Sequence, residues 1–149
     1  MLILAQDTFV EIDVEDLEHI SGYFWRINSN GYAVTGRAER TILMHRMLTG
    51  AKKGQLVDHA SGDGLNNRRS NMRICTPAEN SRNRRIAKSN KSGYKGVYAD
   101  RSRQRVRWRA QIRVDDTTVR LGSFPTAELA YEAYCEAATQ YHGEYARLS

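Results

Sequence analysis

The stretch RVRWRAQIR, Arg105 to Arg113, alternates without a break between a basic or amide side chain and an apolar one. A period of two leaves the backbone little choice. In a strand, Val106, Trp108, Ala110 and Ile112 share one face, and Arg105, Arg107, Arg109, Gln111 and Arg113 share the other. The first face needs a core; the second needs phosphates or solvent. SGYKGVYA and TVRLGSF read as flanking strands, with VDDT as the turn before the last one. TAELAYEAYCEAATQYHG reads as a long helix with Thr126 as N-cap and Gly143 just past its end. Ala130, Ala133 and Ala137 would let that helix lie close to the sheet. The expected C-terminal module is three antiparallel strands covered by one helix.

A chain of 149 residues holds one ordinary domain or two small ones, and its net charge of +6 favours an anionic partner, nucleic acid first. No apolar run reaches membrane-spanning length, MLILAQ is too short for a signal peptide, and no polybasic amphipathic helix or lipidation signal is present. A soluble, cytoplasmic protein with no membrane partner is therefore expected. Cys75 and Cys135 stand far apart without a Cys-x-x-Cys motif, which argues against a zinc knuckle and for a reducing compartment. Charge is segregated. Asp7, Glu11, Asp13, Glu15, Asp16 and Glu18 make the beginning acidic, whereas from Arg82 to Arg113 only Asp100 opposes the basic residues. The basic, apolar-poor NRRIAKSNKSG reads as a linker, so the expected division is a domain at 1–86, a linker at 87–91 and a second domain at 92–149.

Before the linker, TFVEID reads as a strand, VEDLEHIS as a short helix capped by Asp13, and YFWRINSNGYAVTG as a hairpin. Phe24 and Trp25 are expected in the core. TILMHRMLTG reads as a helix stopped by Gly50, QLVDH and NMRIC as strands, and TPAENSRNRR as a helix with Thr76 as N-cap, Pro77 first and Glu79 closing a capping box. Between the last two strands lies VDHASGDGLNNRRSN, Val57 to Asn71. A strand end, a polar loop, a strand and a helix would gather Asp58, His59 and Asn80. One carboxylate and one amide oxygen suit a hard cation such as Mg²⁺ or Mn²⁺, which keeps coordination sites for phosphate and water. His59, with an ordinary pKa near 6.5, suits proton abstraction from water at neutral pH. An EF-hand does not fit, because Ala60 and Gly62 break the alternating oxygen ligands.

MHR…VDH…NNRRSNMR…AENSRN, roughly Met44 to Arg85, resembles the HNH homing endonucleases in the variant whose last histidine is asparagine. The resemblance implies a ββα-metal (His-Me finger) fold. It also implies that Asp58 and Asn80 hold the metal, that His59 is the general base, and that Asn71 holds the loop and orients the histidine. His45, Arg46, Asn67 and Arg68 match positions for phosphate contact or loop support and are expected to touch DNA. The paired cysteines of zinc-binding relatives are absent, so no structural zinc is expected. The C-terminal part, SGYKGVYADRSRQRVRWRAQIRV, LGSFPTAELAYEAYCEAA and HGEYARLS, resembles the AP2 DNA-binding domain, whose sheet lies in the major groove. The resemblance and the strand faces together make Lys95, Tyr98, Arg101, Arg107, Arg109, Gln111 and Arg113 the expected DNA face.

The expectation is thus an α+β protein: an HNH nuclease domain followed by an AP2 domain, nicking double-stranded DNA as a monomer, with a dimer as the alternative, in a phage or bacterial setting. The rivals are a non-catalytic AP2-type regulator with a decayed nuclease domain, and an RNA-binding or structural phage protein that uses the basic half for packaging. His19 and His142 carry no companion ligands and are expected to be structural or surface residues.

Overall fold

The computed structural model describes residues 1–5, 7–36, 40–87, 89–102 and 105–148. Lys88 of the expected linker, and Arg103, Gln104 and Ser149 of the AP2-like stretches, lie outside the described residues. The chain packs as two compact units, Met1–Asn80 and Ser81–Ser149. The division falls ahead of residues 87–91 because the segment after Asn80 is tied to the second unit. Lys95 Nζ donates to the carbonyls of Arg82 (2.5 Å) and Arg84 (3.0 Å), and Arg82 pairs with Asp115 at 3.2 Å.

In the first unit, β1 (Leu2–Ala5) and β2 (Thr8–Glu11) form an antiparallel hairpin. A 3-10 turn, Val14–Asp16, leads into α1 (Leu17–Ile20). β3 (Arg26–Ile27), β4 (Ala33–Thr35) and β5 (Ile42–Leu43) make a three-stranded antiparallel sheet with β4 in the middle. The helix expected from Thr41 begins only at Met44: Ile42 and Leu43 pair with β4, and α2 runs Met44–Thr49 to a left-handed Gly50. β6 (Leu56–His59) and β7 (Met72–Cys75) form the hairpin around the polar loop, and α3 (Pro77–Arg82) follows. The capping box is present. Glu79 Oε2 accepts from the Thr76 amide at 2.7 Å, and Thr76 Oγ1 accepts from the Glu79 amide at 3.2 Å.

Val10, Ile12, Ile20, Trp25, Met44, Leu48 and Met72 are buried together, so the N-terminal strands build the core on which the hairpin rests. Trp25 is inside, donating Nε1–H to the Ile20 carbonyl, but Phe24 is 79% exposed. Neighbouring side chains in extended backbone point apart, and the core admits only one of the two. Asp13 caps nothing. Its carboxylate instead accepts from the Arg69 amide at 2.8 Å, a long-range partner that a local pattern does not reveal.

The second unit is a sheet of β8 (Val97–Asp100), β9 (Arg107–Val114) and β10 (Thr117–Phe124), with β9 central, packed on α4 (Ala127–His142). Asp115 and Asp116 sit at positive φ, 43° and 64°, making the two-residue turn between β9 and β10. Ala130, Tyr134, Ala137 and Ala138 carry the buried stripe of α4 against Ala110 and Ile112, while Ala133 stays half-buried. Val106, expected on the core face, lies before the strand and is 50% exposed. Gly96 has φ of +71°, and a Cβ there would fall 2.2 Å from the Tyr134 ring, so only glycine lets this loop close on α4. His142 is structural, donating Nε2–H to the Arg113 carbonyl at 2.9 Å. No helix among the described residues is long and apolar enough to cross a membrane.

The Asp16 carboxylate is fully buried and is held from the polar loop by Arg69 Nη2 at 2.5 Å and Nε at 3.0 Å. Arg69→Met leaves that carboxylate buried without its counter-charge and should cost about 2–3 kcal/mol, less than breaking a pair buried on both sides because Arg69 is itself half-exposed. Arg68→Met removes only an exposed pair with Glu11 and should cost less than about 1 kcal/mol. Urea unfolding of the two variants beside the parent measures both; equal losses would contradict the assignment.

Candidate active site and nucleic-acid face

Asp58 and His59 end β6, opposite Arg73 and Met72 of β7. Both are buried, and the structure brings Asp58, His59 and Asn71 to one end of this hairpin. The Asp58 carboxylate is gripped by a residue that was not anticipated. Arg73 directs Nε (2.8 Å) and Nη2 (2.7 Å) at Oδ2, a cross-strand ion pair that offsets the cost of burying the charge. The signal was register alone, since an arginine facing the aspartate is visible only once the strands are paired.

His59 sits in an aromatic cage. Its ring stacks on Tyr32 at 5.8 Å and meets His45 edge-on at 5.1 Å, while Tyr32 and His45 also touch. Gly64 permits this packing, because a Cβ there would lie 2.7 Å from the Tyr32 ring. His59 Nε2 lies 3.3 Å from Asn67 Oδ1. Burial pushes the His59 pKa below its ordinary value against the opposing pull of Asn67, Asp58 and Asp63, so the imidazole is neutral at pH 7. His45 is pushed further, to about 4, by burial and then by the neighbouring His59 and Arg46.

Asn71 closes the loop. Its Oδ1 accepts from the Ser61 amide at 2.9 Å, and its Nδ2 donates to the Asn66 carbonyl at 2.7 Å. A second amide, that of Asn67, lies at hydrogen-bond distance from the His59 ring. Asn67 was expected at DNA, yet it is fully buried; the β2 backbone reaches across the loop, the Asn67 amide donating to the Glu11 carbonyl at 2.8 Å. His45 is buried too. Arg46 spends its guanidinium on the carbonyls of Gln55 (2.6 Å), Lys52 (2.8 Å) and Ala51 (3.1 Å), holding the turn into β6. Arg68 keeps a half-exposed guanidinium beside Glu11 at 3.3 Å. Asn80 lies half-buried on α3, and its side chain makes no hydrogen bond to another described residue. No group of three histidines, cysteines or acids able to hold a metal exists among the described residues.

On the second unit, Tyr98, Asp100, Arg105, Arg107, Arg109, Arg120 and Ser123 line an open concavity of about 690 Å³ on the sheet face away from α4. Arg107 Nη2 donates to the Ser123 carbonyl at 2.6 Å, and Arg109 pairs with Asp100. Ser102 first, then Arg109, holds the Asp100 carboxyl at about 2. Gln111 lies on the central strand opposite Arg120, Arg113 makes an exposed pair with Asp116, and Arg101 is exposed at the end of β8. Lys95 does not join this face. Burial lowers its pKa, and its ammonium is spent on the 82 and 84 carbonyls. Arg120 was missed, although it stands between apolar Val119 and Leu121 and so shows the same alternation.

Over 147 residues the chain is 30% identical to an uncharacterized HNH endonuclease of Acanthamoeba polyphaga mimivirus, covering 95% of this chain and 75% of that one. The chain belongs to the HNH endonuclease family. Protein 3.8 of Escherichia phage T7 is 34% identical over 96 residues, 64% of this chain and 77% of that protein. No family model and no solved structure matches. In this family member Asp58, His59 and Asn71 lie at one end of a hairpin whose loop is bonded to the N-terminal segment, and Asn80 lies on the helix that follows.

The buried histidines set an acid limit on the fold. Unfolded, His45 takes a proton near 6.5; folded, only near 4. Between these values the unfolded chain holds the extra proton, so stability falls as pH drops through this window, by up to about 1.4 kcal/mol per pH unit. His59 acts in the same direction. Urea unfolding from pH 7 to pH 4 should show this slope, and His45→Gln should flatten it; a slope unchanged by His45→Gln would contradict the burial.

Proposed function

We propose that the protein is a site-directed DNA endonuclease of the homing type that hydrolyses phosphodiester bonds with one divalent cation, Mg²⁺ or Mn²⁺, and His59 as general base. The observation that carries this reading is a buried imidazole, caged by Tyr32 and His45, at the strand end next to the Asp58 carboxylate. The donor set fits the cation. Asp58 and the free Asn80 amide are hard oxygen ligands of the kind Mg²⁺ takes in small number, and no soft cluster competes among the described residues. When bound, the cation would stabilise charge on the phosphate and on the leaving oxygen. His59, Asn71 and Asn80 would be the His-Asn-Asn set of a ββα-metal site.

His59 takes the proton from a water, whose oxygen attacks phosphorus as the P–O bond to the leaving group breaks. The leaving oxygen takes a proton from solvent. Asn71 keeps the loop closed, Arg73 balances Asp58, and Arg68 offers a surface cation for a flanking phosphate. The second unit, in this reading, is an AP2-like targeting module that lays Arg107, Arg109, Gln111 and Arg120 in the major groove, where arginine reads guanine edges or neutralises phosphates.

Supercoiled plasmid carrying genomic DNA of the source tests the chemistry. With Mg²⁺ the protein should yield nicked circles; EDTA or His59→Ala should leave the plasmid closed. Closed plasmid in all lanes, with duplex binding retained, would contradict the nuclease reading and favour a DNA-binding regulator. The targeting face has its own test in the salt dependence of duplex binding. Each phosphate-directed arginine replaced, Arg107→Ala or Arg120→Ala, should lower the slope of log K against log salt by about 0.9. Unchanged slopes in both would remove the platform from the interface.

A further inference from the structure

We propose that Asp100 is a positioning residue of the arginine platform, turning Arg109 from a phosphate ligand into the reader of one G·C pair. The couple is built into the sheet. Asp100 ends β8 in register with Arg107, so it reaches Arg109 on the diagonal. Its side chain is only 12% exposed, on a face that Arg105, Arg107 and Arg120 also line. One carboxylate oxygen accepts from the Ser102 amide at 3.0 Å, and the other pairs with Arg109 Nη2. Tyr98, the direct cross-strand partner of Arg109, is a second contact on the same guanidinium. Arg109 is thus tied to β8 by two groups. Arg120, by contrast, makes no side-chain ion pair or hydrogen bond with another described residue.

Charge decides what such a couple binds. An arginine directed at phosphate gains from a bare positive charge, which a neighbouring carboxylate cancels while repelling the phosphate oxygens. Asp100 stays ionised wherever duplex binding is measured, because Ser102 and then Arg109 hold its carboxyl at about 2. An uncharged base edge meets no such repulsion. In the major groove guanine offers two acceptors, N7 and O6, and its cytosine offers the N4 amino group as donor. The N–H groups left on Arg109 serve the guanine, and a lone pair left on Asp100 accepts from the cytosine. Donors and an acceptor side by side fit G·C. They do not fit A·T, where the adenine N6 amino group would face the guanidinium. Holding the guanidinium in place also spares rotamer entropy that a free arginine loses on binding. This inference rests on the second unit being the targeting module.

The test is selection from randomised duplexes in EDTA by the full-length protein, its Asp100→Asn variant and its Arg109→Lys variant. Asparagine keeps an oxygen for the Ser102 amide, and lysine keeps the charge without the planar fork. The parent should select a G·C position that both variants lose, with discrimination there falling about 10–100-fold. In Asp100→Asn the slope of log K against log salt should also steepen by about 0.9, as the released Arg109 turns to a phosphate. An Asp100→Asn protein that keeps the parent preference, whether it binds all duplexes more tightly or more weakly, would overturn the proposal. Loss of the position in Arg109→Lys alone would overturn it as well. A parent pool without preference, with salt slopes unmoved by Arg107→Ala and Arg120→Ala, would instead remove the targeting reading and this proposal with it.

Discussion

The Asp16–Arg69 ion pair is the contact on which the candidate site depends. A fully buried carboxylate from the acidic N-terminal segment holds an arginine of the polar loop, and Asp13 and Glu11 add the Arg69 amide and the Arg68 guanidinium. The acidic beginning and the basic loop therefore neutralise one another within the unit, and the net charge is left to the rest of the chain. A loop with glycine at 62 and 64 and asparagine at 66, 67 and 71 has much conformational entropy to lose. Its order comes from these cross-links, and that order places Asn67 against His59.

The site itself is a balance of costs. Burying Asp58 is offset by Arg73 across the hairpin, and burying His59 and His45 is tolerated because both rings are neutral. Neutrality is also what a base needs at physiological pH. The aromatic cage packs against the ring, and the Asn67 amide lies at hydrogen-bond distance from it.

Much of this was legible in the sequence wherever the cause is local. The alternation at Arg107–Val114, the Thr76–Glu79 box, the Thr126 cap and the Gly50 stop all appear where chain neighbours dictate them. What was misjudged depends on partners far along the chain. Asp13 looked like a cap because its distant partner Arg69 is invisible locally, and of the two roles left open for Asn67, phosphate contact and loop support, its burial fits the second. Lys95 looked like a DNA contact, yet a long flexible cation is also suited to satisfying stray carbonyls, and Arg46 takes the loop-support role that was one of its two readings. Arg120 was readable and overlooked. Arg73 was not readable until the register of β6 and β7 was known.

The account's central claim is that the end of this hairpin and the helix after it form one metal-dependent centre. Mn²⁺ titrated into ¹⁵N-labelled protein tests it most directly, because the paramagnetic ion broadens the signals nearest to it. The account predicts selective loss of the Asp58, His59 and Asn80 signals at low Mn²⁺, abolished by Asp58→Asn and reversed by excess Mg²⁺. Broadening centred elsewhere, or uniform weak broadening that Asp58→Asn leaves unchanged, would contradict it.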